Sequence, residues 1–318
     1  MLNISLGIII AFVTGVVISP VLIPFLRKLK FGQEILEIGP NWHKSKAGTP
    51  TMGGIAFIVA IVFTMVVLKA DLRAYIVLLF AFLCGIVGFI DDFIKVYLKR
   101  NMGFNAKQKT MCLIIAIVLF VLGLKFLNLT DTTVYIPFFD ISVDFGLWYY
   151  PVVFLGIFYM VNSVNLTDGI DGLAGSVTAI VLMFFTVLTY ILNYKGLSLL
   201  SAAGLGAVIS FLVFNLHPAK MFMGDTGSLF LGGLVTGVAV AIKNPLIIVI
   251  AGIIYVIESL SVVMQVTSFK LIGKRIFKMS PIHHHFEMCG YSENKIVILF
   301  SVITLIGCVI AFSGTVQL

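Results

Sequence analysis

An all-α, polytopic membrane protein is the fold class that this chain of 318 residues predicts. Three observations carry the prediction. Hydrophobic side chains make up 60% of the sequence and charged ones 11%, mean hydropathy is +1.13, and the apolar residues collect in long runs. A soluble domain of this size needs more charge to clothe its surface. A hydrocarbon core of about 30 Å, by contrast, is crossed by roughly 20 helical residues rising about 1.5 Å each.

Ten such runs follow one another, at about 3–26, 52–70, 74–94, 111–128, 147–164, 173–193, 197–216, 228–243, 245–268 and 295–315. The first has no basic residue before it and Arg27, Lys28 and Lys30 after it, which reads as an anchored helix and not a cleaved leader. Between the fourth and fifth runs, short β-prone stretches around Pro137 predict a small external β-hairpin near 130–146. The ninth run carries Glu258, Ser261 and Gln265 at helical spacing, a polar stripe that must face the bundle interior or a cavity. Spacing does not decide between a substrate groove and simple packing, nor the conformation of that span.

An even number of spans brings both termini to one side. The odd-numbered loops hold sixteen of the 21 Lys and Arg residues, so the positive-inside rule makes those loops cytoplasmic and both termini external. The formal charge of +7 is then a topological signal and an attraction for anionic headgroups or phosphates. No nucleic-acid motif is present and no nucleic-acid partner is expected. The four cysteines offer no external pair, so no disulfide is expected. No long polar linker interrupts the chain, and residues 1–318 read as a single integral membrane catalytic domain.

Five aspartates, Asp91, Asp92, Asp168, Asp171 and Asp225, stand at the ends of apolar runs on the lysine-rich face. A carboxylate at the bilayer edge loses hydration unless a cation compensates it, so five on one face point to a shared metal or a basic substrate. Asp91 and Asp92 also read as an interfacial ion pair with Lys95, yet two adjacent acids exceed one lysine and favour a divalent cation or a base. The 165–172 loop, Asn165-Leu-Thr-Asp168-Gly-Ile-Asp171-Gly172, spaces three oxygen donors evenly, which suits magnesium but equally suits a helix cap. Asp225, in Phe222-Met-Gly-Asp225-Thr-Gly-Ser228, reads both as an N-cap and as part of a phosphate or metal loop.

The last cytoplasmic loop places His283, His284 and His285 in succession beyond Lys270, Lys274, Arg275 and Lys278. Three histidines can hold a transition metal or, beside cations, contact diphosphate oxygens. Lys44, Lys46 and Thr51 in the first cytoplasmic loop, with Lys107 and Lys109 in the second, complete a basic rim around an acidic centre.

Taken in order, Lys46-Ala-Gly-Thr-Pro-Thr-Met-Gly-Gly54, Asp91-Asp92-Phe-Ile-Lys95, the 165–172 loop, Met223-Gly-Asp-Thr-Gly-Ser228 and Pro281-Ile-His-His-His-Phe-Glu287 resemble the phospho-N-acetylmuramoyl-pentapeptide transferase family of the polyprenyl-phosphate sugar-1-phosphate transferase superfamily. The resemblance spans essentially the whole chain, and the triple histidine with Phe-Glu separates it from relatives that transfer N-acetylglucosamine phosphate.

It implies a magnesium-dependent enzyme of the bacterial plasma membrane, with its active site on the cytoplasmic face. Such an enzyme moves phospho-N-acetylmuramoyl-pentapeptide from UDP-N-acetylmuramoyl-pentapeptide to undecaprenyl phosphate, giving lipid I and UMP for peptidoglycan. It also implies that Asp225 binds magnesium, that Asp91 or Asp92 activates the lipid phosphate, and that Lys95 and Lys107 neutralise phosphates. Lys46, Thr51, Asn165, Asp168, Asp171, Phe222 and Gln265 would hold the nucleotide, His283, His284 and His285 would meet the sugar-phosphate, and the protein would form a homodimer. A sister transferase using UDP-N-acetylglucosamine and, more remotely, a secondary transporter are the competing readings.

Overall fold

The computed structural model describes residues 2–28, 46, 48–98 and 103–315, and leaves Lys30 and Lys44 outside them. Each of the ten apolar runs is helical: α1 Leu2–Lys28, α2 Gly54–Leu68, α3 Leu72–Tyr97, α4 Ala106–Phe126, α5 Tyr149–Thr167, α6 Leu173–Ile191, α7 Lys195–Asn215, α8 Gly224–Ala241, the pair α9 Ile247–Ala251 and α10 Ile253–Ile272, and α12 Glu293–Ser313. A short α11, Ile282–Met288, carries the histidines.

Nine helices among the described residues are long and apolar enough to cross a membrane. The second run is the shorter one, its helix of 15 residues ending where Lys69 turns left-handed. The ninth run breaks at Gly252 (φ −97°, ψ 35°), whose backbone leaves the helical region and splits α9 from α10.

Local signals start the helices where the chain needs them. Asp71 caps α3 by accepting from Ala74 N–H at 2.9 Å, and a capping box of Asn105 and Gln108 opens α4. The expected hairpin forms from β1 Thr133–Ile136 and β2 Ile141–Asp144, antiparallel with Thr133 opposite Asp144. Phe138 N–H donates to Gly314 C=O at 2.8 Å and Tyr135 N–H to Lys243 C=O at 3.2 Å. The hairpin therefore lies where α8 and α12 end, opposite the face on which Asp225 begins α8.

Helix α8 is the axis of the bundle, with every residue from Thr226 to Ala241 buried. Small residues let its neighbours come close, as expected where apolar helices have no water to expel and must gain from packing alone. The tightest approach is made by Gly88 of α3, where a Cβ would collide with the backbone carbonyl of Asp225. Helix α1 lies outside this centre and turns Val13, Val17 and Val21 outward, the apolar face a lipid environment accepts.

Candidate active site

Two helix ends build the acidic centre. Asp91 and Asp92 lie near the end of α3, each 3% exposed, and Asp225 lies in the first turn of α8, where the positive helix end favours an anion. The Gly88 crossing fixes how far apart these two ends sit. Asp92 Oδ2 accepts from Thr226 N–H at 2.9 Å and Thr226 Oγ1–H at 2.7 Å, and Asp91 Oδ1 accepts from Phe104 N–H at 2.7 Å.

The sequence leaves open an ion pair within α3 or a shared centre, and the structure contains both. Lys95 Nζ is 2.6 Å from Asp91 Oδ2 and 3.6 Å from Asp92 Oδ1, and it also reaches Asp225 Oδ2 at 3.0 Å. Lys109 Nζ meets the same Asp225 oxygen at 2.8 Å. Asn165 Nδ2 donates to Asp225 Oδ1 at 3.0 Å and to Ser228 Oγ at 2.7 Å. Lys107, expected to neutralise phosphates, is exposed near the start of α4. Residues two apart on a helix point about 200° away from each other, so α4 can present only one of its two lysines to Asp225.

One carboxylate oxygen from each of Asp91, Asp92 and Asp225 can be chosen so that all three lie within 4.8 Å of one another. Hard oxygen donors without sulfur or imidazole fit a hard divalent cation such as magnesium. The residues present therefore suit the cofactor that the resemblance implies.

The 165–172 loop runs from this centre to a second cluster. Asp171 Oδ1 accepts from Lys46 Nζ at 2.7 Å, and Asp171 Oδ2 accepts from Ala219 N–H at 3.0 Å with His217 Nδ1 at 3.1 Å. Glu293, in the first turn of α12, takes Lys46 Nζ at 2.7 Å and the Asp171 N–H at 2.9 Å on its Oε2. Gly172 turns the loop with φ +79°, and its N–H donates to Asn215 Oδ1 at 3.1 Å. Between the two clusters sits Asp168. Burial pushes its carboxyl up to about 8, and the negative charges of Asp225, Asp92 and Asp171 add to the push.

Phe222 is half-buried, held by its N–H on Pro50 C=O at 2.8 Å and by Gly53 N–H on its own C=O at 2.8 Å. Those bonds tie the Asp225 motif to the segment that carries Thr51. Gln265 is engaged elsewhere: its Nε2 donates to Phe277 C=O at 2.9 Å and its Oε1 accepts from Ile276 and Phe277 N–H at 2.9 and 3.0 Å, clasping the loop after α10.

The three histidines part company. His283 is buried against Glu258, with Nδ1 3.0 Å from Oε2. His284 Nδ1 lies 2.6 Å from Glu287 Oε2, and His285 Nδ1 accepts from Lys278 N–H at 3.2 Å. Their Nδ1 atoms thus serve three different partners, and the three rings form no metal-holding group among the described residues. Glu258, Ser261 and Gln265 are all buried, as the stripe on the ninth run requires.

Glu293, His217, Thr226 and Ser228 join the site without having been singled out as candidates. Glu293 meets a partner 122 residues away, a pairing that no local pattern announces.

The chain matches the family model for Glycosyl transferase family 4 over residues 74–243 and Phospho-N-acetylmuramoyl-pentapeptide-transferase signature 1 over residues 46–58. It is 47% identical over 311 residues to a phospho-N-acetylmuramoyl-pentapeptide-transferase of Halalkalibacterium halodurans, covering 96% of this chain and 95% of the relative. It is 48% identical over 315 residues to that of Clostridium perfringens strain 13, covering 98% of each chain, and 46% identical over 312 residues to that of Thermoanaerobacter sp. strain X514, again covering 98% of each.

Proposed function

This chain belongs to the phospho-N-acetylmuramoyl-pentapeptide-transferase family, and we propose that it carries out that transfer at the Asp91, Asp92 and Asp225 centre, on the cytoplasmic side of a bacterial plasma membrane. Phospho-N-acetylmuramoyl-pentapeptide passes from its UDP carrier to undecaprenyl phosphate, giving lipid I and releasing UMP. The observation that carries the reading is the convergence of three carboxylates from α3 and α8 with Lys95 and Lys109 at one helix crossing.

An oxygen of the lipid phosphate attacks the sugar-linked phosphorus, and the bond from that phosphorus to UMP breaks. Both reactants are anionic, so the site must offset their repulsion. Magnesium held by Asp225, with Asp91 and Asp92 beside it, supplies that charge neutralisation when bound. Lys95 and Lys109 lie where their ammonium groups can turn from carboxylate to phosphate oxygens, a task suited to a point charge on a flexible stem. Asp91 or Asp92 takes any proton left on the lipid phosphate and orients it for attack.

The 165–172 loop, with Lys46, Thr51 and Phe222, holds the uridine end, Phe222 offering a ring for stacking. His284 and His285 border the sugar-phosphate end. The positive-inside distribution supports the cytoplasmic placement. Assembly as a homodimer rests on the resemblance alone, and light scattering of the purified protein tests it.

The decisive experiment incubates purified protein with UDP-N-acetylmuramoyl-pentapeptide, undecaprenyl phosphate and magnesium, and follows UMP. Release that stops on chelation and returns with magnesium is expected. Release unaffected by chelator removes the metal role, and preference for UDP-N-acetylglucosamine moves the chain to the sister transferases.

A further inference from the structure

Glu258 and His283 form a fully buried polar pair for which the mechanism above has no use. Glu258 lies within α10, where an ionisable side chain is costly and an apolar pair of similar volume would pack without the loss of hydration. The pair is also incompletely satisfied. Beyond the 3.0 Å contact of His283 Nδ1 with Glu258 Oε2, the other two polar atoms, Glu258 Oε1 and His283 Nε2, are buried with no hydrogen-bond partner among the described residues. A native interior rarely keeps such groups without a functional reason.

The far side of the imidazole shows what it touches. A Cβ on Gly169 would run into His283 Nε2 and come 2.5 Å from Cε1. Gly169 follows Asp168 and precedes Asp171 by two residues, so the imidazole edge sets the height of the loop that carries both acids. A ring pinned by one carboxylate through Nδ1 has one rotation available.

We infer that Glu258 is a positioning residue for the nucleotide pocket: it holds His283 in the orientation that seats Gly169, and through Gly169 it places Asp168 and Asp171. The inference rests on the proposed reading of the 165–172 loop as the nucleotide holder. It separates the three histidines by task, His283 supporting the loop from beneath while His284 and His285 border the site.

The test compares full-length wild type with Glu258→Leu, Glu258→Gln, His283→Ala and the Glu258→Leu/His283→Ala double variant in detergent micelles. It measures KM for UDP-N-acetylmuramoyl-pentapeptide, KM for undecaprenyl phosphate, kcat, UMP affinity by calorimetry, and Tm. Glu258→Leu should raise the nucleotide KM and weaken UMP binding about 10-fold or more, the scale of losing an orienting partner, while the lipid KM stays put. Glu258→Gln, whose amide oxygen can still accept from Nδ1, should recover most of the loss. On the His283→Ala background the leucine substitution should add nothing.

A lowered Tm with unchanged nucleotide KM would reduce the pair to a structural one, and additive losses in the double variant would show that Glu258 acts without His283. Either result overturns the inference. Should the leucine variant fail to fold, Gly169→Ala approaches the contact from the loop side: it should raise the nucleotide KM alone, and a normal value overturns the inference. Failure of wild type to release UMP would instead sink the functional reading, which keeps the two failures apart.

Discussion

Two acidic clusters sit at opposite ends of one loop, and each can gather three ligand-type groups within metal-binding distance. The aspartate at the heart of each, Asp171 in one and Asp225 in the other, differs in what neutralises it. At Asp171 and Glu293 the compensation includes backbone N–H groups of Asp171 and Ala219 and a lysine that is 15% exposed. At Asp225, Oδ2 is held by two lysines that are 32% and 20% exposed, with no backbone donor among the described residues. Backbone donors cannot leave, whereas ammonium groups on long stems can. Proximity of carboxylates therefore does not by itself define a metal centre; the mobility of their counter-charges separates a site that exchanges partners from one that holds a loop in place.

The sharpest way to break this comparison is at Asp225. Asp225→Asn should reduce UMP release about 10²- to 10³-fold, the scale of removing one charge-stabilising group from a transition state, and a smaller loss in initial rates would count against the open centre. If only one of the neighbouring acids moves the proton, Asp91→Asn and Asp92→Asn should differ by about 10-fold or more, and equal losses would leave both as electrostatic scaffolding.

A smaller and different effect belongs to the Asp171 and Glu293 cluster. Asp171→Asn and Glu293→Gln should each raise the nucleotide KM by about 10-fold, because each removes an orienting contact of the loop, while kcat moves little. Steady-state kinetics reads the split. A kcat loss as large as that of Asp225→Asn would erase the distinction between the two clusters.

Asp168 lies between them and offers a pH test. Its carboxyl is raised to about 8 in the folded protein, against about 4 in an unfolded chain. The folded state binds the extra proton, so this group's contribution to stability falls as pH rises from about 4 to about 8. Asp168→Asn should flatten that part of the Tm-against-pH curve, and an unaltered slope would sink the electrostatic account.

The weakest effect is expected on the far face, where Lys243 meets Asp131 at 2.6 Å in an exposed bridge. Burial opposes ionisation there, but the ammonium and the Thr133 donors win and draw the Asp131 carboxyl down to about 2. With the folded value below the unfolded one, the contribution is present above pH about 4 and fades as pH falls through about 2. Asp131→Ala should cost under about 1 kcal/mol and leave UMP release unchanged, which makes it the control for the others.

Hydropathy made the spans legible because each must bury its own backbone hydrogen bonds in an apolar run. The break at Gly252 was not legible, since Gly-Ile-Ile without proline continues a helix as readily as it interrupts one. The acidic centre was readable from Asp91, Asp92 and Asp225 because charge at the end of an apolar run is unusual. That Lys109 reaches Asp225 was not legible, because Lys107 and Lys109 look alike until α4 is phased against α3. Glu293 and His217 carried no local signal, and their roles arise only from long-range packing. The burial of His283 was likewise hidden, because three successive histidines give no local sign of which one packs inward.

Gly88 has one further consequence. With α3 resting on the peptide group of Asp225, the gap between the paired acids and their partner is gauged by two main chains and not by rotamers. A single methyl at that crossing would act as a shim, prising the three carboxylates apart without altering one of them. An inhibitor shaped to those carboxylates would therefore meet a template with little slack, and resistance would have to arise at the periphery, where side chains are free to change.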